Sequence, residues 1–225
     1  VIVMEDTPEF ATAIASSILV FHAGQGCAVT SRLLVPRSRY EEACAILEKA
    51  YAGFADKWGK FDEPSCIMGP VISAKQRDRV MSYIELGQQE GARLLAGGKT
   101  RPDMGDGYFI EPTCFVDVTN DMRIAQEEIF GPVLVVIPFE DDEDAIRISN
   151  DSTYGLGGMV NSGDPERAKR IADRIRTGTV RINGGMSIKG DLPFGGYKDS
   201  GIGREWGREG IEEFLEIKTI ATRLS

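Results

Sequence analysis

Three stretches of this sequence place reactive side chains where the backbone is least crowded. The first is Phe21-His22-Ala23-Gly24-Gln25-Gly26-Cys27. Its small neighbours leave a thiol unshielded, whereas an inert cysteine packs among large apolar groups in the middle of an element. Such a thiol is a candidate nucleophile if a carboxylate takes its proton, or if backbone N–H groups stabilise the thiolate and hold an oxyanion. An ordinary structural thiol is the competing reading. The second stretch is Glu127-Glu128-Ile129-Phe130-Gly131-Pro132, paired acids ahead of a turn and an apolar run. It reads either as an aimed loop or as a solvated one whose Phe130 plugs the core. The third is Pro193-Phe194-Gly195-Gly196-Tyr197-Lys198-Asp199-Ser200-Gly201-Ile202-Gly203-Arg204-Glu205. Its glycines signal close backbone approach or positive φ, and Phe194 could line a pocket there, unless the loop is merely irregular.

Much other chemistry is closed. The sequence has one histidine, His22. A structural zinc site would need it beside closely spaced cysteines, which are missing, so no metal site is expected. A Ser-His-Asp triad would have to run through it, and a papain-like pair would need a histidine far downstream of its cysteine. Cys44, Cys66 and Cys114 read as structural. Gly98-Lys99-Thr100 resembles the end of a phosphate loop, but Arg93 stands where the loop requires glycine. Gly201, Gly203 and Gly207 are spaced one residue too widely for a dinucleotide fingerprint. No phosphate cradle is visible.

The 225 residues carry 26 basic and 35 acidic side chains, a net charge of −9. That argues against nucleic acid, whose binding is largely phosphate neutralisation, and against anionic membranes. The basic run Arg167, Lys169, Arg170, Arg174 and Arg176 is interleaved with Glu166 and Asp173 and reads as a solvated face. No apolar run approaches the ~18 residues of a membrane span. Four widely spaced cysteines suggest reduced thiols and a cytoplasmic protein.

The elements that must position these loops alternate. Strands are expected at Val1–Met4, Ser31–Pro36, Ala92–Ala96, Tyr108–Val118, Val133–Pro138, Leu156–Val160 and Gly178–Ile182. Helices are expected from a Thr7 cap with Pro8 at the first position, then at Arg39–Trp58, Ser73–Glu90, Asp141–Asn150, Pro165–Arg176 and Glu205–Phe214, with a last strand at Ile217–Leu224. Apolar strands between helices mean an α/β domain, a mostly parallel open sheet with helices on both faces. The chain opens Val-Ile-Val-Met, an apolar strand at residue 1, and is expected to be a piece of a longer one.

The three loops, in this order and spacing, resemble the NAD(P)-dependent aldehyde dehydrogenase superfamily. The match runs through Gly24-Gln25-Gly26-Cys27, Glu128-Ile129-Phe130-Gly131-Pro132-Val133, Asn183, and Pro193-Phe194-Gly195-Gly196-x-Lys198-x-Ser200-Gly201-x-Gly203-Arg204-Glu205. The resemblance implies that Cys27 attacks an aldehyde to give a thiohemiacetal, that hydride passes to the nicotinamide of NAD or NADP, and that water hydrolyses the resulting thioester. It implies that the Cys27 N–H contributes to the oxyanion hole, Glu128 holds the nicotinamide ribose, Phe130 packs at the nicotinamide end, and Gln76 contacts the adenosine side. Glu205 resembles an acid linked to the water or proton relay, and Phe194, Met186 and Ile188 the lining of an aldehyde tunnel. Arg204, Glu216 and the final strand resemble parts of a homo-oligomer interface.

The resemblance divides the chain into a catalytic domain, 1–215, and an oligomerisation strand, 216–225. A complete member is about twice as long, with a Glu-Leu-Gly-Gly-Lys general-base motif and a coenzyme domain that this chain does not contain. The parent would oxidise an aldehyde to a carboxylic acid, and the isolated chain is expected to be inactive as a dehydrogenase. Two other readings stay open: a cysteine-dependent acyl transferase or esterase, and a non-catalytic assembly module.

Overall fold

Side chains on a strand alternate between its two faces, and apolar residues at consecutive strand positions therefore demand cover on both sides. In β2 (Arg32–Pro36) and β5 (Val133–Phe139) nearly every residue is buried. Leu33, Val35, Leu134 and Val136 enter one core, and Leu34, Val135, Ile137 and Phe139 the other. The computed structural model describes residues 1–54, 57, 59, 62, 66–185 and 189–223.

The other strands are β1 (Ile2–Val3), β3 (Arg93–Ala96), β4 (Thr113–Val116), β6 (Tyr154–Gly155), β7 (Gly157–Asn161), β8 (Thr179–Ile182) and β9 (Tyr197–Lys198). With β2 and β5, five of them form one seven-stranded sheet in the order β3-β4-β5-β2-β1-β7-β8. Every pairing in it is parallel except β3 with β4. Strands β6 and β9 make a separate antiparallel ribbon. The expected α/β architecture, a mostly parallel open sheet covered on both faces, is what the chain forms.

Helices α1 (Phe10–Ala15) and α2 (Tyr40–Ala52) supply one core through Phe10, Ile14, Leu47 and Tyr51. On the opposite face lie α3 (Ala74–Gln89), α4 (Arg123–Gln126), α5 (Asp142–Asn150) and α6 (Pro165–Ala172). Side-chain caps start three of these. Ser73 Oγ accepts from the Gln76 N–H at 3.2 Å, and the Asp141 and Asp164 carboxylates accept from Asp144 and Glu166. Helix α7 (Gly207–Glu212) follows the glycine-rich loop.

Several expected elements are shorter or differently capped. Thr7 caps nothing: its buried hydroxyl donates to the Asn161 carbonyl at 2.8 Å, and α1 begins only at Phe10, after Glu9 at φ 51°. Helix α2 ends at Ala52, so the expectation of helix through Trp58 fails at Gly53, and Trp58 itself lies outside the described residues. The strand expected over Tyr108–Val118 shrinks to β4, because Ile110 instead bridges back to Thr100. The last helix is confined to α7, and residues 216–223 are exposed with no strand pairing. No described helix is long and apolar enough to cross a membrane.

Candidate active site

Strands β2 and β5 are parallel neighbours, Arg32 aligned with Val135. The loops entering them must therefore arrive at the same end of the sheet. Cys27 stands five residues ahead of β2, and Glu128 five ahead of β5. Topology alone thus makes neighbours of two residues about a hundred positions apart. The cleft they share opens at the amino ends of the strands, walled by Val1, Ser31, Arg32 and Gly157. In open α/β sheets, ligands ordinarily bind beyond the carboxyl ends.

The two loops interlock. Gly24 has φ +71°, and a Cβ added to it would lie 2.0 Å from the Gly131 carbonyl oxygen. Only glycine permits both that conformation and that approach. His22 (φ 47°) and Ala23 (φ 51°) precede it in the same left-handed region, which costs an L-residue about 1–2 kcal/mol each. Gln25 holds the strained turn. Its Nε2 donates to the His22 carbonyl at 3.1 Å, and its Oε1 accepts from the Ile72 N–H at 2.9 Å.

Cys27 emerges from this turn with its thiol exposed. Among the described residues, no acceptor meets its backbone N–H. The other cysteines differ. Cys44 and Cys114 are buried, and desolvation pushes both thiols upward in pKa. Cys66 donates its S–H to the Met68 carbonyl. His22, exposed, stacks on Phe21 with ring centroids 4.0 Å apart and makes no described hydrogen bond to Cys27.

The paired acids divide their labour. Glu127 accepts from Tyr83 Oη at 2.7 Å and from Arg123 Nε at 2.7 Å. Those bonds, Arg123 first, hold its carboxyl below the ordinary range. Glu128 is exposed, and its carboxylate has no partner among the described residues. Cys27, Val29, Ser31 and Glu128 line both a cleft of ≈160 Å³ and an adjoining recess of ≈40 Å³ that Phe130 and Gly131 close. Phe130, half-buried, holds φ 59°. The floor is fixed by Arg32, which donates to Asn120 Oδ1 at 2.6 Å and to the carbonyls of Ile148 and Ser149 at the end of α5.

The glycine-rich loop meets the same cleft at its rim. Lys198 Nζ donates to the carbonyls of Asn150 and Ser152 at 2.7 and 2.9 Å, and Ser200 Oγ accepts from the Gly155 N–H at 3.0 Å. Gly178 admits the loop, since a Cβ there would lie 1.6 Å from the Gly195 oxygen. Phe194 and Glu205 face each other across a two-bond bridge, both bonds 2.7 Å.

Residues 1–220 match the family model described as the aldehyde dehydrogenase family. The chain belongs to that family. A Staphylococcus saprophyticus protein assigned by name to the aldehyde dehydrogenases is 46% identical over 222 residues, covering 98% of this chain and 46% of the relative. A Mycobacterium tuberculosis aldehyde dehydrogenase solved in complex with NAD+ is 48% identical, with a TM-score of 0.88 over 95% of this chain and 44% of its own. The betaine aldehyde dehydrogenase of Staphylococcus aureus, also solved with NAD+, is 41% identical, with a TM-score of 0.91 over 96% and 43%. The chain therefore spans less than half the length of these relatives.

Within this aldehyde dehydrogenase fold, the structure brings Cys27, Glu128 and Phe130 to one cavity. Gln76, expected on the cofactor, is turned toward the protein: its Nε2 donates to the carbonyls of Ile129 and Phe130 at 3.1 and 2.7 Å. Phe194 is half-buried against Trp206, 5.6 Å between centroids, and neither it nor Glu205 lines the Cys27 cleft. Met186 and Ile188 lie outside the described residues. Arg204 donates to the Gly196 and Gly203 carbonyls, and Glu216 is exposed. Sequence reasoning missed Gln25, Arg79 and Tyr83 as supports of the site. The signal available for the last two was their polar spacing with Gln76 along one helix.

Proposed function

We propose that these residues form the catalytic portion of an NAD(P)-dependent aldehyde dehydrogenase with Cys27 as the nucleophile. One observation carries the reading: an exposed thiol whose backbone N–H meets no acceptor among the described residues opens onto the same cavity as Glu128, the carboxylate of the acidic pair that has no partner among them. The thiolate adds to an aldehyde carbonyl, and the Cys27 N–H is free to donate to the oxyanion that forms. Loss of hydride from the adduct leaves a thioester, which water cleaves to the carboxylic acid.

The groups present fit a nicotinamide cofactor. A partnerless carboxylate accepts two sugar hydroxyls, and an aromatic ring beside it suits a flat heterocycle. Glu128 and Phe130 would hold that end, and the cofactor would supply the hydride acceptor. No described loop resembles a phosphate cradle, so the 225-residue chain alone is expected to bind NAD weakly and to be inactive as a dehydrogenase. Leu215, Ile217 and Ile220 are 62%, 96% and 81% exposed. They support assembly of the whole protein as a homo-oligomer through residues 216–225.

In the whole protein, Cys27→Ala removes aldehyde-dependent formation of NADH, and brief iodoacetamide treatment labels Cys27 ahead of Cys44, Cys66 and Cys114. Retained NADH formation in the variant, or uniform labelling, overturns the reading. Turnover of an activated ester without NAD by the 225-residue chain, lost in Cys27→Ala, would favour the acyl-transferase alternative.

A further inference from the structure

The turn that carries Glu128 is gripped along its whole length by one face of α3. Residues 76, 79, 80 and 83 follow the i, i+3, i+4, i+7 spacing that aligns side chains on one helical stripe. Descending the helix, Tyr83, Arg79 and Gln76 meet successive residues of the turn, and Val80 packs on its far end. Tyr83 Oη donates to the Glu127 carboxylate at 2.7 Å. Arg79 donates from a guanidinium nitrogen to the Glu128 carbonyl at 2.5 Å. Gln76 donates to the carbonyls of Ile129 and Phe130. Val80 fills the space over Gly131, where an added Cβ would lie 2.4 Å from Cγ2 of Val80.

A non-glycine residue at φ 59°, as at Phe130, persists only when its surroundings over-determine it. Here each of three consecutive carbonyls is held from outside the turn, and the one polar side chain of the turn left without a partner among the described residues is Glu128. Arg79 fixes the peptide of Glu128 itself. Its guanidinium carbon also lies 4.9 Å from the Tyr83 ring centroid, so the two grips stack on each other.

Resting on the reading of Glu128 as the ribose-binding carboxylate, we propose that Arg79 is a positioning residue for Glu128. With Gln76 and Tyr83 it holds residues 127–130 so that the carboxylate meets the vicinal hydroxyls of a nicotinamide cofactor. Arg79 acts through the backbone carbonyl and touches no reacting atom. Its loss lets the turn relax toward ordinary backbone angles and takes the carboxylate out of line.

The test uses the whole protein and four variants: Arg79→Met, Arg79→Lys, Tyr83→Phe and Glu128→Gln. Isothermal titration gives the NAD dissociation constant, and iodoacetamide gives the alkylation rate of Cys27. Losing one hydrogen bond to a carbonyl predicts about a fivefold rise in Kd for Arg79→Met, with the Cys27 rate within about twofold of wild type. Arg79→Lys keeps a cationic donor and recovers most of the affinity. Tyr83→Phe gives a smaller rise in the same direction and covers the case in which Arg79→Met fails to fold. An unchanged Kd in Arg79→Met and Tyr83→Phe, with a raised Kd in Glu128→Gln, overturns the positioning role and leaves the reading of Glu128 standing. An unchanged Kd in Glu128→Gln overturns that reading and the proposal together.

Discussion

The two halves of the candidate site are built by different means. Around Cys27 and Glu128, loops entering adjacent parallel strands lock at Gly24 and Gly131, and α3 grips the second loop from outside, with Arg123 of α4 on Glu127. Around Phe194 and Glu205, a glycine-rich loop is clipped to the rim by Lys198 and Ser200, and then runs into surface. Ile202, Phe214 and Ile217 there are 101%, 90% and 96% exposed. The first region is finished by contacts within the chain. The second presents apolar area of the kind that marks an interaction surface. Precision of position therefore resides in the thiol and carboxylate half, where the proposed chemistry needs it.

The largest effect that separates the halves is on activity. Cys27→Ala lowers NAD-linked aldehyde oxidation by the whole protein about a thousandfold or more, since an activated nucleophile acts as a unit with its surroundings. A residual rate within tenfold of wild type would move the chemistry elsewhere. Next comes backbone packing. Gly24→Ala places a methyl 2.0 Å from a carbonyl oxygen at φ +71°, and is expected to cost more than about 4 kcal/mol. Gly201→Ala, at φ +110° with nothing within 4 Å, meets conformational strain alone, about 1–2 kcal/mol. Urea denaturation compares them, and equal costs would erase the contrast between the two regions.

Removing residues 216–225 gives a smaller effect on folding. Residues 216–223 are exposed, so unfolding stability changes by less than about 1 kcal/mol, while light scattering shows a fall in the mass of the whole protein's assembly. An unchanged mass rejects residues 216–225 as an interface.

The fold was legible wherever burial on both faces made apolar runs continuous, as at Leu33–Val35 and Val133–Ile137. It was illegible where a polar side chain had two competing uses. Thr7 followed by Pro8 has the form of a helix start, but its hydroxyl is taken by Asn161 across the sheet. At the site, Cys27 stood out by its small neighbours, which announce exposed backbone, and the Glu127-Glu128 pair by the turn that follows it; only the family resemblance singled out Glu128. Which of Glu127 and Glu128 is free was not visible, since it depends on Tyr83 and Arg123 arriving from α3 and α4. Gln76 shows the same limit. Its partners are main-chain carbonyls, which carry no signature in sequence.

Glu127 offers the finest test of the interlocked half. Its carboxyl is held below the ordinary 4.5 by hydrogen bonds from Arg123 and Tyr83. A carboxylate whose folded pKa is depressed adds stability above its unfolded pKa, and loses it as pH falls through the folded value. The wild type should therefore exceed Glu127→Gln in stability at pH 7, with the difference shrinking once pH drops below about 4.5 and vanishing below the folded pKa. The group is nearly solvent-exposed, so screening keeps the difference under about 1 kcal/mol. Urea midpoints of both proteins, measured across that range, isolate this carboxyl from the others that titrate with it. A difference that persists unchanged into strong acid would mean that Glu127 holds its turn by shape, and that the charge shared with Arg123 contributes nothing to aiming Glu128.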